Sequence, residues 1–204
     1  YIPLRGAGKT TGLLCYLNGV DVRVKSKWSN KGRARTLEEI GGAAAFILWR
    51  IAQQGLLNLE NENFQTDTRA QRIDVITEFL AFLVHLADRM KAGDLDANQR
   101  QEFITSLAKH LASQVQENRS DAQGKGDYRK PFIELLNARA ADYAEFPMPD
   151  GEPGYAMKRY FGDSVRAVIG EKDNKWVTDQ VMEIEVPEAL PPLEKALREL
   201  FAKD

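Results

Sequence analysis

A single cysteine, Cys15, occurs in the 204 residues, so no intrachain disulfide can form and a disulfide-stapled secreted scaffold is excluded. That usage fits a reducing cytoplasm, which is the expected location. Histidine is nearly as scarce, with only His85 and His110. A structural zinc site needs four ligands, and two histidines with one cysteine do not supply them. Helix-borne di-iron sites need a glutamate three residues before each histidine, and Phe82 and Leu107 stand there instead. No metal and no cofactor is therefore expected.

Long apolar runs are missing as well. The most apolar stretch, residues 40–59, is broken by Arg50, Gln53, Gln54 and Gly55, well short of the roughly 18 to 20 residues a bilayer requires. No membrane span is expected. No basic, apolar and small-residue leader opens the chain, although it starts at Tyr1 rather than at a methionine, so this lack weighs little.

Acidic residues are almost absent from the first 35 positions. There Asp21 stands alone against eight basic side chains, a net of +7, whereas the remaining 169 residues carry a net of -9. Such asymmetry bears on partners.

What is present begins with a turn. Asn18-Gly19 lies between two apolar stretches, and both central positions of a type I′ turn need positive φ, so a β-hairpin is predicted here. With a two-residue loop, Leu17 opposes Val20, Cys15 opposes Val22 and Leu13 opposes Val24, all on one face. Ahead of the hairpin, residues 5–11 (Arg-Gly-Ala-Gly-Lys-Thr-Thr) look like the end of a P-loop. Pro3 occupies the place of the required glycine, and a hairpin follows where a helix N-terminus should face the phosphate. Nucleotide binding is not expected.

The rest reads as helix. Thr36 to Glu39 forms a capping box that opens a helix apolar nearly all round to about Leu57, the expected central helix, in which Gly41 and Gly42 permit close approach. A second helix runs from Thr68 to Met90 and is expected to end at Gly93. A third starts at Asp96 with Phe103, Leu107, Leu111 and Val115 on one face, ahead of a loop at 120–126. A fourth covers about Tyr128 to Phe146, followed by a proline- and glycine-rich loop. The last third is divided into helices at Tyr155 to Ile169 capped by Gly170, at about Asp173 to Glu185, and at Pro191 to Ala202. Val177, Val181 and Ile184 recur at helical spacing in the middle one, and the prolines at 187, 191 and 192 separate the last pair.

The expected architecture is thus all-α: a basic hairpin and connector over residues 1–35, then a bundle of six or seven helices over 36–204. Two places on it attract attention. The second helix leaves a polar strip of Asp74, Glu78, His85 and Asp88, with His85 one turn from Asp88 and two from Glu78. The connector holds Lys25, Lys27, Trp28, Lys31, Arg33 and Arg35 with no acid among them, the composition of a small nucleic-acid contact in which cations release phosphate counterions and an exposed indole stacks on a base. No catalytic residue set can be picked out from spacing. The reading favoured is a non-catalytic binding or assembly protein with a protein partner. The alternative is weak nucleic-acid or polyanion binding through residues 25–35, and a third is an enzyme centred on the polar strip. Oligomeric state is left open.

Overall fold

The structure is a computed structural model, and it describes residues 34–170 and 175–202. The predicted hairpin, the P-loop-like stretch and Lys25, Lys27, Trp28, Lys31 and Arg33 lie outside the described residues. The unit described here begins at Ala34.

It is an all-helical bundle, with no strand among the described residues: α1 (Leu37–Asn61), α2 (Arg69–Lys91), α3 (Ala97–Gln123), α4 (Arg129–Ala144), α5 (Tyr155–Ile169), a short α6 (Val177–Gln180), a π-helical turn at Val181–Glu185, and α7 (Val186–Phe201). The starts are dictated locally. Thr36 Oγ1 accepts from the Glu39 amide at 3.2 Å while the Glu39 carboxylate accepts from the Thr36 amide at 2.9 Å, so two amides left over at the helix start are satisfied reciprocally. Asp96 and Gln99 repeat the device at the start of α3. Gly170 ends α5 at φ 91°, a conformation that a Cβ would disfavour.

The centre is α2 rather than the expected α1. Every residue from Val75 to Ala87 is buried, and α2 packs against α1, α3, α4, α5 and α7. One flank of α1 stays open, with Phe46, Arg50, Gln53, Gln54 and Leu57 exposed. The glycines of α1 act as expected: a Cβ on Gly41 would stand 2.6 Å from Ser106 Oγ, so only glycine lets α3 approach this closely. Two ends differ from expectation. The chain leaves α2 through Ala92 in a right-handed conformation, without a left-handed glycine at 93, and α3 runs to Gln123 before Gly124 closes it at φ 88°.

The largest departure is in the last third. Helical structure is continuous from Val177 to Phe201 and passes through Pro187, Pro191 and Pro192. A proline lacks an N–H and forfeits the bond to the carbonyl four residues back. Here the three rings are exposed, so the carbonyls they leave face the outer side of the helix, and immediately before Pro187 the ladder loosens to a π turn in which the Val186 amide reaches back to the Val181 carbonyl. That turn slips the helical phase by about one residue. Ile184, expected inward with Val177 and Val181, is 43% exposed, and Glu185 is turned inward at 1% exposed.

Candidate functional site

The polar strip of α2 is closed by arginines from neighbouring helices. Asp74 is paired with Arg119 of α3 and Asp88 with Arg100 of the same helix. Glu78, 4% exposed, receives two parallel bonds from Arg139 Nε and Nη2 of α4, each 2.7 Å long. This fork geometry is the strongest arrangement available to a carboxylate. The remaining Arg139 nitrogen, Nη1, donates to the Tyr160 hydroxyl at 3.0 Å, and that hydroxyl donates in turn to Asp142. Its bonds to the Glu78 carboxylate hold the Arg139 guanidinium above its ordinary value, while burial, with the Asp142 bond second, raises Tyr160.

His85 lies in the same layer, 6% exposed, its ring centroid 5.3 Å from that of Tyr143. Burial, helped by Arg89 and Arg100 and opposed by Asp88, lowers its pKa from 6.5 to about 4, so the imidazole is neutral at physiological pH. Neither His85 Nε2 nor Tyr143 Oη has a hydrogen-bond partner among the described residues. The structure thus brings the four strip residues onto one line but divides them among three separate ion pairs and one neutral ring. No group of three or more metal-ligating side chains occurs among the described residues. No described helix is long and apolar enough to cross a membrane.

Of the basic segment, Arg35 alone falls within the described residues. Its Nη1 donates to the Glu199 and Leu200 carbonyls at 3.2 and 3.4 Å, which satisfies acceptors in the last turn of α7 and ties the start of α1 to the end of α7.

A hollow of about 490 Å³ between α1 and α3 is lined mainly by polar and charged side chains such as Glu38, Glu102, Lys109 and His110. A smaller but more apolar opening lies elsewhere, in a groove of about 360 Å³ between α1 and α7. Its walls are apolar, with Ile47 and Ile51 on one side and Ala189 and Pro192 on the other, and Phe46 stands at the rim 60% exposed. One end is polar. Gln54 Nε2 donates to Asn58 Oδ1 at 2.7 Å, and Asn58 Nδ2 donates to Glu185 Oε2 at 3.0 Å and to Glu188 Oε2 at 2.8 Å. Gln180 Nε2 donates to the second Glu185 oxygen at 3.1 Å. Both carboxylates are therefore hydrogen-bonded, yet no cation pairs with either among the described residues. Burial, with Glu188 and Glu62 adding to it against the two amide bonds, raises the Glu185 pKa above the usual carboxylate value.

Sequence reasoning named Arg50, Gln54 and Gly55 only as breaks in an apolar run and Pro192 only as a helix separator, and placed no candidate site residue in this groove. One signal was available: Pro187 inside a helical pattern marks a break in the ladder, and the residues just before such a break leave the ordinary face. No protein-family model matches the chain, and no curated protein and no solved structure matches it.

Proposed function

We propose that the helical unit is a non-catalytic binding module and that the groove between α1 and α7 is where its protein partner sits. The observation that carries this reading is the groove itself, an open apolar trough with the large Phe46 side chain left at its rim and hydrogen-bonding groups gathered at one end. Concave apolar surface with a few convergent polar groups is the usual form of a binding site, and an exposed aromatic at its edge is the residue type that anchors protein interfaces. The strip on α2, buried at Glu78 and His85 and with its carboxylates matched by arginines, is read as a brace of the bundle.

The reading is tested by quantitative capture from the source cells with the intact chain, Phe46→Ala and Gln54→Trp. Both positions are exposed, so the fold is expected to survive. Proteins held by the intact chain should be lost from both variants; a set retained by both would place the binding surface elsewhere.

The +7 charge of residues 1–35 favours a second reading, a weak polyanion contact. With Arg35 engaged on α7, the cations left in the connector are Lys25, Lys27, Lys31 and Arg33, and a log-log salt slope of about -2.8 to -3.6 is expected if all four meet phosphates. Absence of binding to single- or double-stranded nucleic acid at low salt would remove this reading.

A further inference from the structure

The charge at the polar end of the groove is not balanced. Glu60, two residues beyond Asn58, has its own cation in Arg72 at 2.8 Å. Glu62, Glu185 and Glu188 have none among the described residues. The end of α1 adds to the same sign, because Asn58 and Glu62 stand at its C-terminal, negative pole and its last turn contains no basic residue. Arg50, the cation lining the groove, lies eight residues back along α1, roughly 12 Å at the α-helical rise, beyond about one screening length at physiological salt.

Hydrogen-bonding capacity points the same way. Both Asn58 Nδ2 donors are already given to the carboxylates, while the Gln180 and Gln54 amides each give one N–H, to Glu185 and to Asn58. Pro192 removes the N–H that would bond the Glu188 carbonyl four residues back. What the groove end offers a visitor is chiefly the negative charge and acceptors of the exposed Glu188 and Glu62, with Glu185 buried behind them. What would satisfy it is a donor-only cation, which lysine and arginine side chains are.

Resting on the reading of the groove as the binding site, we infer that its acidic end takes a lysine or arginine side chain of the partner protein, while an apolar side chain of the same segment lies against Ile47 and Ile51. The spacing follows from the helix. Ile51 and Asn58 are seven residues apart, roughly 10 Å along α1, which an extended chain spans in about three residues. The partner segment therefore carries its basic residue about three positions from its apolar one.

The test uses the intact chain labelled with nitrogen-15 and three probes: N-acetyl-Leu-Ala-Ala-Lys-amide and the same peptide with norleucine or glutamate in place of lysine. The lysine peptide should shift the side-chain amide resonances of Asn58 and Gln54 saturably. The norleucine peptide should bind at least about tenfold more weakly and the glutamate peptide not at all. Glu188→Gln, an exposed change, should weaken the lysine peptide at least about threefold while leaving the remaining spectrum in place. Equal binding of the lysine and norleucine peptides would overturn the charge assignment and leave the groove reading standing. No response at Asn58 or Gln54 to any peptide would overturn the inference, whereas the groove reading itself stands or falls on the Phe46 and Gln54 variants.

Discussion

Acid should weaken this protein at His85 before it protonates most carboxylates. The ring is 6% exposed, and its pKa is lowered to about 4, with burial the main cause. In the unfolded chain the same ring titrates near 6.5. Because the folded value is the lower one, the folded chain holds the ring neutral while the unfolded chain binds a proton. The contribution to stability is complete above pH 6.5 and is lost as pH falls from 6.5 towards 4. Each unit of displacement corresponds to roughly 1.4 kcal/mol, so the full window is worth about 3 kcal/mol, or about 6 to 12 °C in Tm for a chain of this size. The groups facing the ring are Asp88 and Arg89 on its own helix, Arg100 on α3 and Tyr143 on α4. Urea midpoints at pH 7, 6, 5 and 4.5 should be compared for the intact chain and His85→Phe, which keeps an aromatic against Tyr143 and cannot titrate. All other titrating groups are common to both proteins. The intact chain should lose about 2 to 3 kcal/mol more than the variant between pH 7 and 4.5. Parallel curves over that range would refute the burial argument.

Arg139→Met should destabilise the bundle by about 3 to 5 kcal/mol, because it strands the Glu78 carboxylate in the interior, and Glu78→Met added to it should recover most of that loss in urea denaturation. A double variant no more stable than the single one would contradict the pairing. Gly55→Ala should be destabilising by about 1 to 3 kcal/mol, since the added Cβ would stand 2.4 Å from the Phe79 ring, and Phe79→Leu should relieve part of it.

Much of the bundle was legible in the chain because its signals are local. The capping boxes at Thr36 and Asp96, the apolar face of α3 and the stop at Gly170 each depend on residues within a turn or two of one another. The interior of the strip was not legible, because its partners come from far away: Arg119 is 45 residues from Asp74 and Arg139 is 61 from Glu78. Periodicity located the strip on α2 but could not show that α3 and α4 cover it. The groove escaped for a different reason. Proline is a strong helix-breaking signal, and three of them near the end of the chain argue for separate helices. Where the rings all face outward the helix carries on, and the compensating π turn rotates Glu185 inward in a way that a fixed 3.6-residue period cannot anticipate.

The central claim is that partners meet this protein in the groove between α1 and α7, and site-specific photo-crosslinking tests it most directly. A photoreactive benzoylphenylalanine placed at Arg50, an exposed position on the groove, and separately at Glu134, an exposed position on α4, reports which surface is covered in the source cells. A discrete crosslinked product at position 50, absent at 134 and abolished by Phe46→Ala in the same chain, is the predicted result. A product at 134 with none at 50 would contradict the account.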